Sequence, residues 1–112
     1  KKDMVKTGGV NVASIEVEKC IFQHPNVQNV AVVGLPHEHW TEALTAFVIS
    51  KDNEEIQEEE IIQLCKQQLG GYKVPKKVIT IKDFPMTSSG KIQKHILRND
   101  HIHLFEQETI NK

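Results

Sequence analysis

The sequence predicts a small α+β fold: one mixed β-sheet with packed helices and an N-terminal β-hairpin. Three observations carry this. A chain of 112 residues suits one domain with one core. Its apolar residues change period repeatedly, from alternation to i, i+3, i+4 spacing and back. Glycine pairs at Gly8-Gly9 and Gly70-Gly71 punctuate those changes.

Met4-Val5-Lys6 and Val10-Asn11-Val12 flank Gly8-Gly9 and read as a hairpin turning at the glycines. Ser14 is placed to cap a helix running to about Gln23, with Val17, Cys20 and Ile21 as its apolar stripe; His24-Pro25 ends it. Val27 to Leu35 reads as a strand. Its run Val30 to Val33 is apolar at every position, as in a strand covered on both faces. Ala43 to Ser50 is a second strand. Ile56 and Ile61 form a hydrophobic staple around a Gln57 cap, with Glu60 at the third helical position. Ile61, Cys65 and Leu69 give that helix its buried edge, and Gly70-Gly71 stops it. Val78 to Lys82 alternates as a strand, Phe84 to Gly90 is a loop, and Ile92 to Arg98 is a short helix. Phe22, Phe47 and Phe84 fall at positions that read as core.

With 38% hydrophobic and 26% charged residues, the composition is that of an ordinary globular domain. The longest apolar run stops at Pro36, far short of the ~20 residues that cross a bilayer. Cys20 and Cys65 match no paired-cysteine metal or redox spacing and read as reduced core residues, which suits a cytoplasmic protein. The opening Lys1-Lys2-Asp3-Met4 has no apolar leader and no initiator methionine, so a piece of a longer chain is expected. His37-x-His39 and His101-x-His103 lack the spacing and third ligand of a zinc site. Serine-hydrolase, zinc-protease and P-loop motifs find no match.

Charge is unevenly spread although the net is −1. Residues 51–69 set Lys51 and Lys66 against Asp52, Glu54, Glu55, Glu58, Glu59 and Glu60. Residues 70–98 carry Lys73, Lys76, Lys77, Lys82, Lys91, Lys94 and Arg98 against Asp83 alone. The acidic block suits a helix start. The basic block suits either a phosphate-bearing partner or a solvated face. Within it, Pro85-Met86-Thr87-Ser88-Ser89-Gly90-Lys91 is the most informative stretch. Hydroxyls and amides of a mobile Thr/Ser/Gly loop suit phosphate oxygens, and Lys91 sets a compact positive charge just after the glycine. A plain glycine turn before a helix is the other reading of the same residues.

The stretch PMTSSGKIQKHILR, residues 85–98, resembles the last core motif of the adenylate-forming (AMP-binding) enzymes: acyl-CoA synthetases, peptide-synthetase adenylation domains and firefly-type luciferases. KKDMVKTGGVNVASIEVE resembles the motif at that superfamily's junction between large and small domains. HPNVQNVAVVGLPHEHWTEALTAFV and YKVPKKV resemble the family's middle and the approach to its final loop. The matches run in order over residues 1 to about 99, leaving 100–112 as a tail. One departure stands out: the family often has Gly between the Trp and Glu of the middle motif, where this chain has Thr41.

The resemblance implies the mobile C-terminal domain of an ATP-dependent, AMP-forming acid–CoA ligase, most like a fatty or medium-chain acyl-CoA synthetase. Its partner would be an N-terminal adenylating domain of the same chain that holds ATP, Mg2+ and the acid. Lys91 falls on the family's catalytic lysine for adenylation, and Thr87, Ser89 and Gly90 would shape its loop. Lys2 falls on the hinge position. Lys6, Gly8 and Gly9 would line the pantetheine path once the domain turns toward CoA. Lys73, Lys76 and Lys77 are candidates for the CoA nucleotide phosphates. The isolated fragment is expected to be inactive. The alternatives are an adenylation domain that uses a carrier-protein thiol or resembles luciferase, and a non-enzymatic basic RNA-binding module. The last is disfavoured by an aromatic content of 5% and no RNA-binding aromatic cluster.

Overall fold

The computed structural model describes residues 3–106. The order is β1 (Met4–Thr7), β2 (Val10–Ala13), α1 (Ser14–Ile21), β3 (Val27–His37), β4 (Thr41–Ser50), α2 (Glu58–Gln68), β5 (Lys77–Thr80) and α3 (Lys94–Asp100), with short 3-10 turns at Lys51–Asn53 and Gly71–Lys73. The five strands form one mixed sheet of order β2-β1-β4-β3, with β5 also on β4. β3 and β4 pair antiparallel along nearly their whole length, from Val27↔Ser50 to His37↔Thr41. Along its opposite edge, β4 takes β5 in parallel, Thr45↔Lys77 to Val48↔Thr80, and touches β1 at Thr7↔Thr41. That arrangement stands the hairpin at the end of β4 where the chain enters from β3.

The sheet is covered on both faces, which explains the apolar run in β3. Val30, Val32, Leu44, Ala46 and Val48 face α1 and α2, packing with Val17, Cys20, Ile21, Ile61 and Cys65. Ala31, Val33, Leu35, Ala43 and Phe47 face the other way, against Phe84, Leu97 and Phe105. The period of two along a strand makes this division automatic. Phe105 is buried to 2% exposure, so packing continues past residue 99. Both cysteines are free and buried between α1 and α2. Burial, and then the neighbouring Cys20 thiol, push the Cys65 thiol up to about 12, keeping it protonated and unreactive at neutral pH.

Several local expectations are corrected. α1 starts at Ser14 itself and ends at Ile21; Ala13 is the N-cap residue, and Ser14 does not cap the helix. Its hydroxyl donates to the Asp3 carboxylate at 2.8 Å and to the Asp3 carbonyl at 3.1 Å. Phe22, just past α1, is 51% exposed rather than core. β3 and β4 each run two residues further toward their shared turn than apolar content suggests, because that turn is tight. α2 does follow Gln57, with Ile61 buried and Ile56 packed beside it, but no side chain caps it. The Glu60 carboxylate bonds the His24 ring at 2.8 Å instead. β5 starts one residue earlier and ends two residues earlier than the alternation suggests, and α3 starts at Lys94 because 86–92 closes on itself first.

Thr41, where the family often has glycine, has φ +71. The β3–β4 turn needs a left-handed residue there, and His37 Nδ1 stabilises the turn by accepting from the His39 and Trp40 amides at 3.0 and 3.2 Å. A β-branched residue in that region costs about 1–2 kcal/mol, against about 0.4–1 kcal/mol of unfolded-state entropy for glycine. Thr41→Gly is therefore expected to stabilise the chain by about 0.5–1 kcal/mol. Chemical denaturation checks this; a destabilised variant would mean that Thr41 side-chain contacts outweigh the strain.

Candidate functional site

The Lys91 loop is a closed, hydrogen-bonded turn. A bridge between Met86 and Ile92 ties its base, and Gln93 N–H donates to the Pro85 carbonyl at 2.8 Å. Inside it, Thr87 N–H donates to Lys91 O at 2.8 Å, and Gly90 N–H to Thr87 O at 3.0 Å. The Thr87 hydroxyl accepts from Lys91 N–H at 3.0 Å and lies 3.1 Å from the Ser89 hydroxyl. Gly90 has φ +91, a value glycine takes at little cost. Thr87, Ser89 and Gly90 thus build the turn that presents the exposed Lys91.

α3 follows at once and is tied down by cations one turn apart. Lys94 Nζ donates to Asp3 Oδ2 at 2.6 Å, Glu18 Oε2 at 2.7 Å and Ser14 Oγ at 3.2 Å. Glu18 Oε2 also accepts from Val32 N–H at 2.9 Å. Arg98 Nε donates to the Gly34 carbonyl at 2.8 Å, and its Nη2 lies 3.5 Å from Glu42 Oε2. Glu42 Oε1 in turn accepts from Lys6 N–H at 2.9 Å. Gly34 makes room for this: a Cβ there would sit 2.7 Å from Glu42 Oε1 and 2.8 Å from Val5 Cγ1. Burial alone would raise the Asp3 carboxyl. Hydrogen bonds from Lys94 and Ser14, with the charges of Lys94 and Arg98, outweigh it and hold Asp3 below the ordinary carboxylate range.

The hairpin tip is a second cluster. Gly8 and Gly9 have φ +59 and +83, the paired left-handed conformation of a tight two-residue hairpin. Gly8 N–H donates to the Trp40 carbonyl at 2.9 Å. A Cβ on Gly8 would lie 2.8 Å from the Tyr72 ring and 3.1 Å from the Trp40 ring, whereas one on Gly9 would meet nothing within 4 Å. Trp40 and Tyr72 meet edge to face at 6.3 Å, and Lys76 Nζ stands 4.0 Å over the Trp40 ring. Lys6 is exposed on β1. Lys73 is engaged by Glu16 at 3.1 Å, and Lys77 is half-buried in β5. Lys2 lies outside the described residues. The Lys91 loop and the hairpin tip use different partners, so they form separate clusters among the described residues. Sequence reasoning missed Trp40, Tyr72, Glu42 and Gly34.

The profile of the AMP-binding enzyme C-terminal domain matches residues 16–91. The chain belongs to that family. It is 47% identical over 97 residues to a peroxisomal trans-cinnamate:CoA ligase of Petunia hybrida, covering 87% of this chain and 17% of that one. It is 43% identical over 100 residues to the long-chain-fatty-acid–CoA ligase FadD13 of Mycobacterium tuberculosis, covering 89% and 20%. The solved structure of apo MatB from Rhodopseudomonas palustris superposes with a TM-score of 0.89 at 38% identity, covering 93% of this chain and 21% of MatB. The chain thus spans about a fifth of the relatives it matches. Among the described residues no helix is long and apolar enough to cross a membrane.

The Asp3 geometry fixes a pH dependence. A carboxyl lowered on folding contributes stability that is present above its ordinary value of 3.8 and is lost as pH falls through the lowered folded value. Asp3→Asn is expected to lower stability at pH 7, modestly because the carboxylate is 56% exposed. The difference from the parent should shrink as the pH falls below 3.8 and vanish below the lowered folded value. Denaturation curves at pH 7 and in acid test this; a difference that persists in acid would assign Asp3 a role independent of its charge.

Proposed function

We propose that this chain is the mobile C-terminal domain of an ATP-dependent, AMP-forming acid–CoA ligase. The observation that carries the reading is the family match ending on Lys91, a lysine held exposed by a turn that hydrogen bonds of Pro85, Thr87, Gly90 and Gln93 help close. A carboxylate attacks the α-phosphate of ATP, giving acyl-adenylate and pyrophosphate; the thiol of CoA then attacks the acyl carbon and releases AMP. ATP and Mg2+ would be held mainly by the adenylating domain. From this chain, Lys91 supplies a compact positive charge where negative charge builds during the first step. A preformed turn suits that task, since little reorganisation is needed when the charge arrives.

The second step uses the other cluster. With the domain turned about Lys2, the tip formed by Lys6, Gly8 and Gly9 lines the path of the pantetheine arm. Gly9 leaves open space there, which supports a close approach by a ligand. The Trp40 and Tyr72 rings and the Lys76 ammonium beside it offer stacking area and positive charge, the chemistry that takes a purine and its phosphates. Lys76 is the better placed of the basic candidates, because Lys73 already serves Glu16. Long-chain fatty and aromatic acids are both named among the relatives, and the acid pocket belongs to the adenylating domain.

The two half-reactions should separate by variant in the enzyme that carries this domain. Lys91→Ala is expected to slow acid-dependent ATP–pyrophosphate exchange by about 100-fold or more, while pre-made acyl-adenylate is still converted to thioester. Gly9→Asn should do the reverse. Asparagine tolerates the positive φ, so it adds bulk at the tip with little strain. The chain by itself should catalyse neither step. Equal loss of both half-reactions in Lys91→Ala would make Lys91 structural, and unimpaired CoA transfer in Gly9→Asn would remove the hairpin from the pantetheine path.

A further inference from the structure

Lys94 spends its whole hydrogen-bonding capacity on three partners far from it in sequence. An ammonium has three protons, and Asp3, Glu18 and Ser14 supply three acceptors at 2.6, 2.7 and 3.2 Å. Asp3 is gripped by its backbone as well: its carbonyl accepts from Ser14 N–H at 3.0 Å and from the Ser14 hydroxyl at 3.1 Å. On the other side, Lys94 is the first residue of α3, and the residue before it closes the Lys91 turn through Gln93 N–H to Pro85 O at 2.8 Å. No slack separates the turn from the helix.

We infer that Lys94 is a positioning residue that clamps Asp3 and the Lys91 turn into one rigid piece, so that the two move together when the domain reorients. The inference rests on the proposed reading of Lys91 and Lys2. A hinge delivers a side chain accurately only if the dihedral change stays within a few residues. Asp3 directly follows Lys2, and it is the first residue obliged to travel with the domain. Without the ammonium, Asp3 and Glu18 would present two like charges to one place, and Asp3 would be free to share the dihedral change. The Lys91 ammonium would then arrive with a spread of positions. Arg98, one turn later, holds Glu42 and the Gly34 carbonyl and keeps α3 on β3, so loss of Lys94 alone should loosen the clamp without undocking the helix.

The test uses Lys94→Gln, Lys94→Arg and the milder Asp3→Asn in the enzyme that carries this domain, read by amide hydrogen exchange and by each half-reaction. In Lys94→Gln, exchange should quicken together in residues 3–6 and 86–92. Adenylate formation should fall by about 10- to 100-fold, the loss expected of a catalytic group misplaced by about 1 Å. Conversion of pre-made acyl-adenylate to thioester should be largely retained, and Lys94→Arg should restore both exchange and rate. Asp3→Asn should reproduce the exchange pattern with the Glu18 pair intact, which keeps the inference testable if Lys94→Gln folds poorly. Faster exchange in 3–6 with an unchanged 86–92 turn would overturn the clamp, as would equal loss of both half-reactions. A Lys91→Ala enzyme that still forms adenylate would instead defeat the functional reading, and the exchange data would still decide the clamp.

Discussion

The Lys94 ammonium joins the start of β1, the first two turns of α1 and the start of α3. Its partner Glu18 divides one carboxylate oxygen between Lys94 and Val32 N–H, a backbone group on the outer edge of β3. Arg98 repeats the scheme one turn on: Glu42 lies between its guanidinium and Lys6 N–H. Each acidic side chain therefore satisfies a backbone donor of one element while its charge is met by a cation on α3. β3 is an edge strand, and exposed edge groups invite pairing with other chains. Glu18 and Arg98 occupy Val32 N–H and the Gly34 carbonyl and so block that edge. Removing either cation would leave a half-buried carboxylate short of a partner, a greater cost than losing a surface pair.

The same arrangement governs what the domain can present. Both faces of the β3–β4 pair are buried, so nothing reactive comes from the middle of the sheet. Under the proposed reading, chemistry falls to what projects from the ends: the Lys91 turn, beside α3, and the hairpin tip, against Trp40 and Tyr72. Gly34 is where the scheme is tightest. A side chain there would displace both Val5 and the Glu42 carboxylate, and with it the anchor of β1.

Local features were legible in the sequence. Gly8-Gly9 marked the hairpin because glycine enters two successive left-handed positions at no steric cost. The run Val30 to Val33 marked a strand covered twice, and the final motif located the Lys91 turn. Long-range polar pairings were not legible. Lys94 and Asp3 lie 91 positions apart, and nothing in either one's neighbourhood announces the other. Ser14 read as a cap because serine before an apolar stripe usually is one; here the Asp3 carboxylate competes for its hydroxyl. The position of Phe22 reads as core in a helix running to Gln23, but α1 ends at Ile21 and leaves Phe22 exposed. Phe105 lies in a segment without periodicity, so nothing local announces that its ring packs into the second core layer. Thr41 was visible as a departure from the family pattern, and its left-handed backbone accounts for glycine being common there.

The coupling between Lys94 and Glu18 seats α3 against α1, and a double-mutant cycle measures it directly. Lys94→Met, Glu18→Gln and the double variant would be compared with the parent by chemical denaturation at pH 7. The two residues share hydrogen bonds in one partly buried network, so an interaction energy of about 1 kcal/mol or more is expected, with the double variant less damaged than the sum of the singles. Additivity within about 0.5 kcal/mol, the behaviour of independent sites, would show that the Lys94–Glu18 pair does not hold α3, which would then rest on its apolar face and Arg98.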